Sequence, residues 1–213
     1  MPIVIRITAS RLYEIFKFVI TGGPCSGKTT ALETLKDYFS KKGYKVIIVN
    51  ETATEVINSG ILPKDIPVNV FQKVILDRGI FKEDTTEALA KYYDRDTIIF
   101  YDRGIMDIKA YMSDSGFIEI LKTRNLTEEI INNRYDAVFY LVTAANGAEN
   151  FYTLENNNAR SESIEEAIRI DKRTYDVWKG YKRLHKFDSS TSFDEKIEKL
   201  IKKVEEEIEF IDF

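Results

Sequence analysis

The sequence predicts an α/β fold, a five-stranded parallel sheet with helices on both faces, and three observations carry that reading. Five short runs are apolar almost throughout rather than alternating: KFVIT (17–21), YKVIIVN (44–50), TIIFYD (97–102), DAVFYLVT (136–143) and LHKF (184–187). Strands buried on both faces read this way. Stretches of helical period separate them, as parallel strands joined by crossovers require. The first run passes straight through glycines into a helix, in GGPCSGKTT (22–30), the arrangement of a phosphate-binding loop.

The elements follow in order. Residues 2–8 alternate weakly at Ile3, Ile5 and Ile7, an added strand or a loose arm, so residues 1–15 are set apart from one domain over 16–213. Residues 28–42 form a helix with Ala31, Leu32, Leu35, Tyr38 and Phe39 on one side, and Gly43 ends it. Asp65 and Pro67 open a long helix reaching about Tyr93, and a less regular helical region follows the third strand. Ser163 with Glu166 makes a capping box for a helix over 164–180. Ser192 with Glu195 caps the last helix, where Ile197, Leu200, Ile201, Val204 and Ile208 recur at helical spacing. The polar run ENNNARSES (155–163) is built to move, and a lid is expected over about 146–173.

Composition narrows the function. The chain has 213 residues, 44% hydrophobic, enough for one sizeable core and few for two. A net charge of −4 argues against nucleic acid as a partner. One cysteine permits no internal disulfide and suits a reducing compartment. No apolar run approaches the roughly 18 residues of a membrane span, and the amino terminus lacks a signal-peptide layout. The expectation is a cytoplasmic protein that does not span a membrane.

Gly22-x4-Gly27-Lys28-Thr29 matches the Walker A pattern in full. Its glycines let the loop, Gly22, Gly23, Pro24, Cys25, Ser26 and Gly27, turn backbone N–H groups toward the phosphates of ATP or GTP, helped by Thr30 at the helix start. Lys28 supplies a point charge, and Thr29 offers its hydroxyl to Mg²⁺. Asp102, ending the third strand, is the partner carboxylate for that metal. Cys25 reads as a small loop residue, or as a thiol acidified by the helix terminus.

Further residues point to phosphoryl transfer. Switch-type GTPases need an Asn/Thr-Lys-x-Asp motif that is missing here, and hexameric AAA+ ATPases carry an extra helical domain for which these residues leave no room. Glu51, directly after the second strand, is placed to accept the proton of an attacking hydroxyl, or to complement a helix dipole. Arg103 is placed to clamp an acceptor. Arg160, Arg169 and Arg173 are candidate lid cations for the charge that spreads over the γ-phosphoryl oxygens. Gln72 is a candidate acceptor contact, although a helical glutamine more commonly faces solvent. Ser189 and Thr191, in DSSTSF (188–193), lie where the nucleotide base is expected. His185 and the aromatics Tyr92, Tyr93, Trp178 and Tyr181 read as structural, and the DRG at 77–79 as a solvated helix face.

The stretches VITGGPCSGKTTAL, NETATEVINSG, YDRGIMDIKAYM, RYDAVFYLVTAANGAENFYTLENNNARSES and DSSTSF together resemble the P-loop AAA-type domain shared by the TRPL translocation defect protein and the NadR ribosylnicotinamide kinase. The resemblance covers roughly residues 16–207 and is nearer the translocation-defect branch, whose C-terminal CYTH-type domain has no counterpart in these residues. The kinase branch implies ATP, Mg²⁺ and a nucleoside acceptor, with Glu51, Asp102 and Arg103 catalytic. The other branch implies a nucleotide-binding module with GTP and phosphoinositide as ligands. Two functions follow: transfer of the γ-phosphoryl group to a small hydroxylated acceptor, or an ATP/GTP-dependent switch that hydrolyses slowly and binds a lipid or protein.

Overall fold

A computed structural model of the chain describes residues 13–143, 164–190 and 192–211. Five strands, β1 (Ile15–Thr21), β2 (Lys45–Val49), β3 (Thr97–Asp102), β4 (Ala137–Leu141) and β5 (Leu184–Phe187), form one sheet. All pairings are parallel and the order is β2-β3-β1-β4-β5. β1 leads to β2 on the far side of β3, whereas β3 leads to β4 on the far side of β1. The connections therefore diverge between β1 and β3, and a crevice opens outside their carboxyl ends, where open parallel sheets bind ligands. The register sets Ile20 beside Asp102 there, and Thr21 beside Tyr140.

Strand residues alternate between two cores. Phe16, Phe18 and Ile20 of β1, with Ile98 and Phe100 of β3 and Phe139 of β4, face helices α1 (Lys28–Lys41) and α7 (Phe193–Ile211). Val19, Ile99, Tyr101 and Val138 face the other side, covered by α3 (Val68–Ala90), α4 (Asp114–Lys122) and α6 (Ile164–Trp178). Each buried Phe or Leu contributes about 1.5–3 kcal/mol, so loading both faces makes β1 and β3 the fixed frame of the crevice. α1 buries Ala31, Leu32, Leu35 and Phe39 as its spacing predicts, and Gly43 takes φ 96° just beyond it. The Ser192 hydroxyl accepts from the Glu195 amide at 3.3 Å, the expected cap of α7. Ser163 lies outside the described residues.

Several details differ from the sequence reading. β1 starts at Ile15, two residues early. A short helix, α2 (Thr52–Asn58), follows Glu51, and α3 begins after Pro67 without a side-chain cap. The irregular region is a 3₁₀ segment (Ile105–Tyr111), then α4 and α5 (Glu128–Asn132). Trp178 and Tyr181 pack edge-on, while Tyr92 is 87% exposed. His185 pairs with Glu207 at 2.8 Å, a structural contact.

Candidate functional site

The phosphate loop bridges β1 and α1 in a conformation that only its glycines permit. Gly22 has φ 145°, and a Cβ there would sit 1.9 Å from the Leu141 carbonyl oxygen. Gly27 caps α1 at φ 83° with no side-chain hydrogen bond. The first-turn amides of α1 are therefore left for an anion, and the first turn holds no acidic residue. Cys25 also takes a left-handed φ of 52°. Lys28 folds back on the loop, donating to the carbonyls of Gly22 and Gly23 at 3.1 and 2.8 Å and to the Ser26 hydroxyl at 3.2 Å. Thr29 and Thr30 are exposed in the first turn.

Asp102 ends β3 beside the loop, and Arg103 follows it. Asp102 Oδ1 is buried without a hydrogen-bond partner. Burial lifts its carboxyl above the ordinary range, with Lys28 opposing and Glu51 adding to the rise. Arg103 adopts a left-handed φ of 67°, a strained choice for a non-glycine residue. Its Nε donates to Glu51 Oε1 at 2.7 Å, and its Nη1 lies 3.6 Å from Asp107. Burial works against the guanidinium charge, but Tyr111, Glu51, Asp107 and Asp102 outweigh it and hold it protonated. Glu51 Oε2 accepts from Thr54 at 2.7 Å. Asp107 is itself fixed by the Thr21 hydroxyl and by the Gly104 amide at 2.8 Å.

Beyond this pair a cavity of about 330 Å³ opens between the carboxyl edge of the sheet, α2, α3 and the 3₁₀ segment. Glu51, Gln72, Asp102 and Arg103 line it together with Tyr111. The predicted acceptor contacts Glu51, Gln72 and Arg103 thus line one cavity. Gln72 is only 7% exposed, against the solvent-facing expectation, because α3 turns it toward the cavity. Gly79 is likewise turned inward, with Ile105 2.8 Å from where its Cβ would be, so only part of the 77–79 copy of DRG is a solvated face. The Tyr111 hydroxyl and Arg103 Nη1 are buried without hydrogen-bond partners, like Asp102 Oδ1.

Other candidates among the described residues do not line the cavity, although Glu166, the partner of Arg169, does. Arg169 pairs with Glu166 at 3.2 Å on the exposed side of α6, and Arg173 donates to the Met112 carbonyl at 2.8 Å. Neither contact reaches the phosphate loop. Arg160 and Thr191 lie outside the described residues, as does most of the expected lid. The Ser189 hydroxyl turns inward to the Val142 carbonyl at 3.0 Å.

Sequence reasoning missed Asp107, Tyr111 and Asp171. Asp171 carried a usable signal, a carboxylate on the stripe of α6 that also buries Ala167, Ile170, Thr174 and Trp178.

The residues fit Mg²⁺. Among the described residues no group of three or more His, Cys, Asp or Glu side chains gathers to hold a metal alone. The unpartnered Asp102 Oδ1 and the exposed Thr29 at the start of α1 suit an ion that also takes phosphate oxygens and water. No helix among the described residues is long and apolar enough to cross a membrane. The family profile described as an AAA domain matches residues 17–204. No curated protein matches the chain.

Proposed function

The chain belongs to the AAA-domain family of P-loop nucleotide-binding proteins, and from that premise we propose that it is a cytoplasmic, Mg²⁺-dependent phosphotransferase acting on a small hydroxylated acceptor such as a nucleoside. The observation that carries this reading is the cavity beside the loop, where Glu51, Gln72 and Arg103 converge. A mostly apolar chamber with a few convergent polar groups is the form of a small-molecule site, which nucleotide hydrolysis alone does not need. The resemblance to NadR-type kinases supports the same reading.

In this scheme Lys28 and the loop amides hold the triphosphate, ATP or GTP. Thr29 and Asp102 would hold Mg²⁺, whose chemistry there is neutralisation of charge on the β- and γ-oxygens. Glu51 accepts the proton of the attacking hydroxyl, and its salt bridge to Arg103 fixes the carboxylate in place. Arg103 and Gln72 orient the acceptor, which lowers the barrier by positioning. Arg160 with Arg169 or Arg173 would act as lid cations, supplying positive charge to the transferring group, and a closed lid would exclude water. The test is calorimetric titration with ATP, GTP and their diphosphates plus Mg²⁺, then a nucleoside panel with the tighter donor. Acceptor binding that requires the triphosphate analogue, followed by phosphate transfer with the donor itself, supports the proposal. Tight nucleotide binding with no acceptor heat and no transfer rejects it.

A second reading, a nucleotide-dependent module that binds phosphoinositide, is favoured by one observation. Lys186, Lys199, Lys202 and Lys203 line an open groove between β5 and α7. Cosedimentation with phosphoinositide vesicles that differs between triphosphate and diphosphate would support it, since a ligand shifts a state only by differential affinity.

A further inference from the structure

α6 touches both halves of the site. On its inner face Asp171, 6% exposed, accepts the Gly23 amide at 2.8 Å and the Thr143 amide at 3.2 Å through the same oxygen. Its own carbonyl accepts the Tyr140 hydroxyl at 2.6 Å. Thr143 in turn donates through its hydroxyl to the Pro24 carbonyl. The fit is close: a Cβ on Gly23 would lie 2.5 Å from Asp171 Oδ1. Two residues on, Arg173 reaches the Met112 carbonyl, just past the cavity wall formed by Tyr111. At the end of the helix Trp178 packs on Gly104, beside Arg103, with the nearest ring atom 2.9 Å from where a glycine Cβ would be.

We propose that Asp171 is a positioning residue for nucleotide binding, which holds the outer arm of the phosphate loop through Gly23 and ties that arm to α6, so that the loop and the cavity wall at Gly104 adjust together. A mid-helix carboxylate buried against backbone amides is costly unless those amides need fixing. Here they belong to a loop whose backbone is the binding surface. Hydrogen bonds to a charged acceptor are worth about 1.5–3 kcal/mol, enough to set the loop's shape before nucleotide arrives. The linkage is a packed helix with contacts at both ends, the physical kind of coupling path. It rests on nucleotide binding alone and holds whether or not phosphate is transferred.

The protein carries its own reporter, because Trp178 is its single tryptophan. We expect saturation with Mg²⁺ and ATP or GTP to change Trp178 emission in the wild-type chain. Asp171→Ala should bind nucleotide about ten-fold more weakly, 1.4 kcal/mol, and at saturation should lose the emission change. Asp171→Asn keeps an oxygen that can accept both amides and should retain it. A purely structural Asp171 would lower thermal stability in the alanine variant yet leave the response intact at saturation. Should Asp171→Ala fail to fold, Gly23→Ala displaces the same carboxylate from the loop side and should also abolish the response. A wild-type chain saturated by calorimetry without any Trp178 change overturns the proposal. So does a folded Asp171→Ala or Gly23→Ala chain that binds nucleotide with the full change.

Discussion

The phosphate loop and the cavity beside it lie at the same sheet edge but are made of different material. The loop is backbone: its binding groups are amides, and its side chains matter mainly by being absent at Gly22, Gly23 and Gly27. The cavity is side chain, drawn from residues as far apart as Glu51 and Tyr111. A backbone site tolerates few residue types at fixed spacing and so writes itself as a motif. A side-chain site needs only the right groups facing inward, and many arrangements of sequence supply those.

The sharpest way to break this comparison is at the loop. Gly22→Ala adds a methyl where φ is 145° and the Leu141 carbonyl oxygen is 1.9 Å away, an obstacle that is backbone and cannot swing aside. We expect destabilisation of at least about 3 kcal/mol and loss of nucleotide binding. Thermal melting and calorimetry read both.

The cavity should respond otherwise. Glu51→Gln keeps shape and a carbonyl oxygen for Arg103 while removing the carboxylate proposed as the base. Turnover should fall about 10²–10⁴-fold with nucleotide affinity little changed. If nucleotide affinity collapses as well, Glu51 belongs to the loop's architecture and the two regions are not separable.

Asp102 lies on the border between the two. Its carboxyl is held above the ordinary range chiefly by burial, so ionising it costs the fold more than ionising an exposed carboxylate would. Asp102→Asn should raise thermal stability by about 1 kcal/mol while abolishing the Mg²⁺ dependence of nucleotide binding. A variant that melts earlier than the parent would mean that Lys28 and Arg103 stabilise the carboxylate more than burial penalises it.

What the sequence disclosed follows the same division. The five strands, the phosphate loop and the place of Asp102 and Arg103 at the carboxyl end of β3 were legible because burial on both faces and the loop's backbone geometry restrict residue type locally. α2 was not, since TATEVIN is only seven residues long, with one buried side chain and no helical stripe to read. Asp171 meets Gly23 across 148 positions, and only the docking of α6 on β4 makes that pair. For Gln72, the period of a helix alone does not separate an acceptor contact from a solvent-facing glutamine.

A pH-dependent effect lies deepest. Glu83, also lining the cavity, is 3% exposed and accepts from Tyr135 at 2.8 Å and from Arg134 at 2.7 Å. Burial outweighs both partners and lifts its carboxyl to about 7 from an ordinary value of 4.5. Between those values the folded chain keeps a proton that the unfolded chain has released. The group's contribution to stability is therefore full below the ordinary value and declines as pH rises toward 7, opposite in sign to a salt-bridged surface carboxylate. Glu83→Gln removes the titration while keeping an acceptor for Tyr135, so the fall in melting temperature between about pH 4.5 and 7 should flatten relative to the parent. Thermal melts of both chains across that range decide it. Parallel curves would mean that Arg134 keeps Glu83 ionised throughout, and the cavity floor would then be as fixed in charge as the loop is in shape.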